Sequence, residues 1–129
     1  MPNPVSFAVD QGFVALGDNA FKDELITFAG AATLLAGCIM ARDTVSLKLV
    51  PFVVGGSTNG NGVPCSVIAE PLTATGAGDL PLRVIISGRV NRSRLVINAD
   101  GTNANLTKVH EDSLRSRAIV PEVVDQIAS

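Results

Sequence analysis

The chain has 129 residues, 47% hydrophobic and 17% charged, and its ten basic and twelve acidic side chains leave a net charge of −2. That is enough apolar chain for one domain with a real core, which excludes wholesale disorder, and too little positive charge for a protein that grips phosphate backbones. Two cysteines, one histidine and neither Trp nor Tyr leave little from which to build a disulfide scaffold, a metalloenzyme or an aromatic-lined groove.

The start, Met1-Pro2-Asn3-Pro4, has neither the basic residues nor the apolar core of a signal peptide, so synthesis in a reducing cytoplasm and free Cys38 and Cys65 are expected. The uncharged run 25–40 is broken by Gly30 and Gly37 and is short for a membrane span, so no membrane partner is expected. Residues 1–28 differ from the rest. They hold Phe7, Phe13, Phe21 and Phe28, four of the five phenylalanines, interrupted by Gly12, Gly17 and Asp18-Asn19 in a spacing that fits no helical stripe. Val5-Ser6-Phe7-Ala8-Val9 alternates as a strand does, but no neighbouring segment offers it a partner across a tight turn. It is read either as an edge strand of the domain or as an arm that pairs with another chain. The second reading is preferred, giving an extended N-terminal arm over 1–28 and a β-rich domain over 29–129.

From residue 34 onward the pattern is all-β. Residues 34–42 read as a strand kinked at Gly37, and 45–50 alternate before stopping at Pro51. The glycine-rich stretch 55–62 is a loop, and 63–72 is a further strand. Residues 82–86 and 89–90 flank Ser87-Gly88, and 93–98 form an apolar stretch before the turn at Asp100-Gly101. One helix is predicted near 103–116, capped by Thr102 or Asn103. Leu106, Val109, His110, Ser113 and Leu114 would form its inner face, with Lys108, Glu111, Asp112 and Arg115 in solvent. A last helical turn is expected over 122–128. The sum is a mainly β fold with one short helix, a small compact barrel or sandwich.

Candidate chemistry is sparse. His110 is the sole histidine, no Gly-x-Ser-x-Gly turn exists, and Cys38 and Cys65 lack the second ligand pair of a zinc site. Neither Lys nor a helix start follows the glycine loop 55–62, so it is a hairpin loop and not a phosphate cradle. The adjacent carboxylates Asp23-Glu24 and Glu111-Asp112 point in different directions on any regular element and are read as solvated. No catalytic, metal or cofactor site is nominated, and no enzymatic activity is expected. Arg83, Arg89, Arg92 and Arg94 form the one local excess of charge. Without Tyr or Trp to stack on bases, they are read as a subunit-contact patch, with no nucleic-acid partner.

The order of segments over 31–120 resembles the head decoration proteins of tailed bacteriophages, the group of phage lambda's decoration protein D. Ala31-Ala32-Thr33-Leu34-Leu35-Ala36-Gly37-Cys38-Ile39 is similar to that family's opening strand, Val67-Ile68-Ala69-Glu70-Pro71-Leu72-Thr73-Ala74 to a second, and Ile85-Ile86-Ser87-Gly88-Arg89-Val90 to a third. Leu114-Arg115-Ser116-Arg117-Ala118-Ile119-Val120 is similar to its closing segment, except that Arg117-Ala118 stand where the family has a glycine after the helix. The resemblance implies a non-enzymatic virion protein on the outer capsid surface, a homotrimer without cofactors whose partner is the major capsid protein. It also implies that the N-terminal arm adds a strand to a neighbouring shell subunit, which assigns Val5, Ser6, Phe7, Ala8, Val9 and Phe13 to capsid binding. The alternative is a small β-barrel module for a ligand or a non-capsid protein, its terminal segment folded against its own sheet.

Overall fold

In the computed structural model, which describes residues 14–98 and 100–123, two fourteen-residue strands carry the architecture. β1 (Ala15–Phe28) and β7 (Gly78–Asn91) run antiparallel, paired from Ala15↔Val90 to Phe28↔Gly78. β3 (Ile39–Arg42), β4 (Leu49–Pro51) and β5 (Pro64–Ile68) complete a ring in the order β1-β4-β3-β5-β7, closed by the pairing of β7 back onto β1. Near its C-terminal end β7 gains a third partner, the sixth strand of the sheet. There β8 (Ile119–Glu122) pairs parallel with Gly88–Asn91, beyond the point where β5 has stopped. β2 (Ala32–Leu34) and β6 (Leu72–Ala74) form a separate antiparallel pair, and the only α-helix among the described residues is α1 (Lys108–Arg115). The fold is a closed five-stranded barrel plus an extra strand, and its mainly β character with one helix is what the alternation of the sequence implies.

Both faces of the barrel wall are buried over part of its circumference, and this explains the apolar runs Cys38-Ile39-Met40-Ala41, Val67-Ile68 and Val84-Ile85. Met40, Leu49, Ile68, Leu82, Val84 and Ile26, drawn from all five barrel strands, fill the lumen together with Phe28, Leu34 and Cys38. Their sequence neighbours Ile39, Ala41, Val67 and Ile85 point outward, under a second core made with Phe52, Leu95, Ile97, Leu106, Leu114 and Ile119. Each large side chain fully buried in either layer contributes about 1.5–3 kcal/mol. Closure removes most of the exposed sheet edge that an open sheet of this size would carry.

The structure moves several boundaries. Ala15–Phe28 is a barrel strand, so the half of residues 1–28 read as arm but placed here belongs to the body. Its partner β7 lies fifty or more residues away in sequence, beyond the reach of a local hairpin signal. The strand read over 34–42 is split by a turn at Gly37 (φ +92°), where a Cβ would lie 1.9 Å from the Arg94 carbonyl oxygen. In place of a strand over 45–50 there is a tight turn: the Asp43 carboxylate accepts from the amides of Val45 and Ser46, and pairing starts only at Leu49. Residues 63–72 divide into β5 and the first residue of β6, and 82–90 are one continuous strand.

α1 begins later than predicted. Thr107, not Thr102 or Asn103, caps it: its hydroxyl accepts from the His110 amide while its own amide donates to His110 Nδ1 at 3.0 Å. The helix is also rotated from the predicted face. Leu114 and Glu111 are buried, whereas Val109 is 70% exposed. Of the helical turn expected over 122–128, Glu122 ends a strand and 124–128 lie outside the described residues.

Candidate functional site

Val5, Ser6, Phe7, Ala8, Val9 and Phe13, nominated as a binding arm, lie outside the described residues. The structure does define where that segment is rooted. Val14 is buried in the outer core, and its carbonyl accepts from the Asn91 amide at 2.7 Å. The next turn of chain is a bulge. Register against β7 shifts between Ala15 and Phe21, and Gly17 (φ +145°) and Asp18 (φ +55°) depart from strand geometry. Asn19 replaces the lost ladder bonds. Its side-chain oxygen accepts from the Gly17 amide at 2.8 Å, and its Nδ2 donates to the carbonyls of Ser87 and Arg89 at 3.2 and 3.0 Å. Gly88 makes this approach feasible, because a Cβ there would lie 2.5 Å from the Asp18 carbonyl. Nothing in the sequence pattern marked Asn19, since its partners are sixty-eight and seventy residues away.

The four arginines do not form one cluster. Arg83 and Arg89 are six residues apart on β7, about 20 Å along an extended strand. Arg83 lies over the Phe21 ring, 4.7 Å from its centroid and opposite Asp23. Arg89 donates to the Leu16 carbonyl and pairs loosely with Glu122 at 3.5 Å, tying β8 to the bulge. Arg92 is structural: its Nε donates to Glu111 at 2.9 Å and its guanidinium also reaches the Leu106 carbonyl. It thereby neutralises the carboxylate that α1 buries. Arg94 ends a 3-10 turn (Arg92–Arg94) whose last carbonyl packs against Gly37.

The carboxylate neighbours read as solvated are likewise divided. Glu111 is engaged by Arg92 and Glu24 by Arg42, while Asp112 makes an exposed ion pair with Arg115 on its own helix. The Glu24–Arg42 pair is bidentate, at 2.6 and 2.8 Å, and links β1 to β3. Its hydrogen bond from Arg42 holds the Glu24 carboxyl below its ordinary pKa, with burial pulling the other way. His110 is also structural, completing the Thr107 cap and meeting the Phe52 ring edge-on at 5.0 Å. Cys38 and Cys65 are free thiols. Burial pushes Cys38 up to about 12 and raises Cys65 as well, so neither has the character of an activated nucleophile. Among the described residues, no group of three or more His, Cys, Asp or Glu gathers where it could hold a metal ion.

Among the described residues the lumen is filled by apolar side chains. A concavity of about 340 Å³ at a barrel mouth is lined by the small residues 29–32 together with Ile26, Phe28, Leu34, Pro51 and Asn98. The fold is that of a small β-barrel, consistent with a decoration or binding module. The family model of bacteriophage lambda head decoration protein D matches residues 8–119, and the chain belongs to that family. No curated protein matches the chain.

Proposed function

We propose that this protein is a non-enzymatic cement protein of a phage head. Made in the host cytoplasm, it binds the outer surface of the expanded shell as a homotrimer and bridges neighbouring copies of the major capsid protein. Membership of the lambda head decoration family carries this reading, and the solid lumen supports a bracing role over ligand carriage. Val5, Ser6, Phe7, Ala8, Val9 and Phe13 are the proposed contact arm, adding a strand to a shell subunit and filling apolar pockets with the two rings. Arg83, Arg89 and Arg94, all exposed, are proposed as separate subunit-contact positions, while Arg92 serves the fold.

The physical case rests on reach. Thirteen extended residues span up to about 45 Å, while a body of this size has a radius of gyration of about 14 Å. One subunit thus touches surfaces well beyond its own footprint, and three linked arms compound weak contacts through effective concentration. Co-sedimentation with expanded, undecorated capsids tests this. Stoichiometric binding is expected, abolished by deleting residues 1–13 and only salt-sensitive in an Arg83→Ala/Arg89→Ala variant. A deletion that binds like wild type while the arginine variant fails would overturn the strand-addition mechanism.

A further inference from the structure

β1 is paired along its length on one side only. On the β7 side the ladder runs from Ala15 to Phe28, whereas on the other side β4 meets it at a single pair, Ile26↔Leu49. Over 21–25, where the register against β7 is unbroken, β1 is therefore an open sheet edge, a template for one more strand. It faces solvent: Phe21 and Leu25 are 39% and 46% exposed, and Lys22 and Asp23 are exposed as well. The direction of its main chain follows from β7. The Arg83 carbonyl accepts from the Ala69 amide, on the side away from β1. Asp23↔Arg83 is then a non-hydrogen-bonded pair, and the N–H and C=O of Asp23 point outward from the edge. By alternation those of Phe21 do the same, as does the Leu25 N–H.

We propose that this edge accepts an extended segment of a different chain, one whose side chains on the outer face run apolar, basic, apolar. Main-chain bonds to Phe21 and Asp23 hold the added strand, and side chains select it. Ile26 points into the lumen, so Phe21, Asp23 and Leu25 share the outer face. Two apolar residues of the partner then meet Phe21 and Leu25, and a cation meets Asp23. Asp23 lines a concavity with Glu70 and Arg83, two carboxylates against one guanidinium, and neither carboxylate makes an ion pair among the described residues. The same charges reject other occupants. Any symmetric antiparallel register between two copies that keeps the hydrogen-bonding groups in phase and pairs three or more of residues 21–25 sets Lys22, Asp23 or Glu24 opposite itself. Like charges directly opposite are destabilising. The ends of this chain do not suit the edge either, because 1–13 and 124–129 hold no Lys or Arg and one Asp each. The inference goes beyond the proposed arm: there this chain donates a strand, and here it receives one.

The probe is a capped seven-residue peptide with threonine at its odd positions and valine, lysine and valine at its even ones, titrated into isotope-labelled full-length protein with no shell present. Saturable amide shifts centred on Phe21, Asp23 and Leu25 are expected, with slower hydrogen exchange at those amides. A peptide with glutamate in place of the lysine should bind several-fold more weakly, and Asp23→Lys, at an exposed position, should reverse that order. A peptide N-methylated on its edge-facing amides should not bind. Absent or scattered shifts at millimolar peptide, equal binding of the lysine and glutamate peptides, or binding of the N-methylated one would each overturn the proposal. So would shifts of the same amides on concentrating the protein alone, by identifying a second copy as the occupant. Capsid co-sedimentation separates the two readings. Shell binding with a silent edge removes the strand-acceptor site alone. Peptide capture with no shell binding removes the capsid role and keeps the site.

Discussion

Ala118 follows α1 with φ +67°, in the left-handed region, at the position where the decoration family has glycine nearby. A side chain in that region costs about 1–2 kcal/mol. Replacing it with glycine removes this strain but returns about 0.4–1 kcal/mol of unfolded-state entropy. The alanine methyl is exposed, so no packing is lost. The contacts through Ala118 are main-chain only: its amide donates to Arg115 and its carbonyl accepts from Gly88 at 2.8 Å, and both survive. The net expectation for Ala118→Gly is a gain of roughly 0.5–1 kcal/mol. In urea the midpoint should rise by about 0.3–0.5 M with an unchanged slope. Ala118→Val should move it the other way, because a β-branched residue tolerates that conformation less well. If Ala118→Gly is neutral or destabilising, the left-handed stop is not strained and this accounting is wrong.

Gly37→Ala should cost at least about 3 kcal/mol, since positive φ and a 1.9 Å approach to a backbone oxygen leave nothing that can give cheaply; native-like stability in thermal unfolding would refute it. Glu24→Gln should lose about 1–2 kcal/mol at neutral pH, less than a fully buried pair because the Arg42 side chain is 38% exposed. Because the Glu24 carboxyl is held below its ordinary value near 4.5, the pair's stabilisation is complete above that value and lost as pH falls through the folded pKa. The gap between wild type and Glu24→Gln should therefore close on acidification, and a gap constant from pH 7 to pH 3 would exclude the ion pair as its source. Under native conditions iodoacetamide should label half-buried Cys65 slowly and Cys38 only through unfolding, with two thiols titrating once denaturant is added; equal native rates would contradict the burial of Cys38.

What was legible in the sequence follows the range of the interactions. The alternating and continuous apolar runs announced strands and a core, because side-chain direction alternates locally whatever the partner. Closure was not visible, because pairing of residues 15–28 with 78–90 leaves no mark in either segment alone. The helix was found, but its start was misplaced. Thr102 and Asn103 are good caps by type, and only the reciprocal bonds of Thr107 and His110 reveal the true one. Glu111 was assigned to solvent because a carboxylate belongs there unless paired, and Arg92, nineteen residues away, supplies the pair. The small-residue run Ala29-Gly30-Ala31-Ala32 was the one available signal for the barrel-mouth groove.

The irregular register at the start of β1 also has a mechanical meaning. A tensile load applied at Val14 along the strand axis meets β1 in shear, where ladder bonds on both sides of the ribbon resist together. A load applied sideways peels the strand from its end, one pair at a time. There the first rungs are the shifted ones from Ala15 to Ala20, held by the Asn19 side chain, and the unbroken register from Phe21 to Phe28 lies behind them. The bulged end is thus a compliant leader that yields over a short distance before force reaches the rungs that close the barrel. In the proposed role on a capsid, a shell that swells under internal pressure would stretch this leader first and leave the folded body intact.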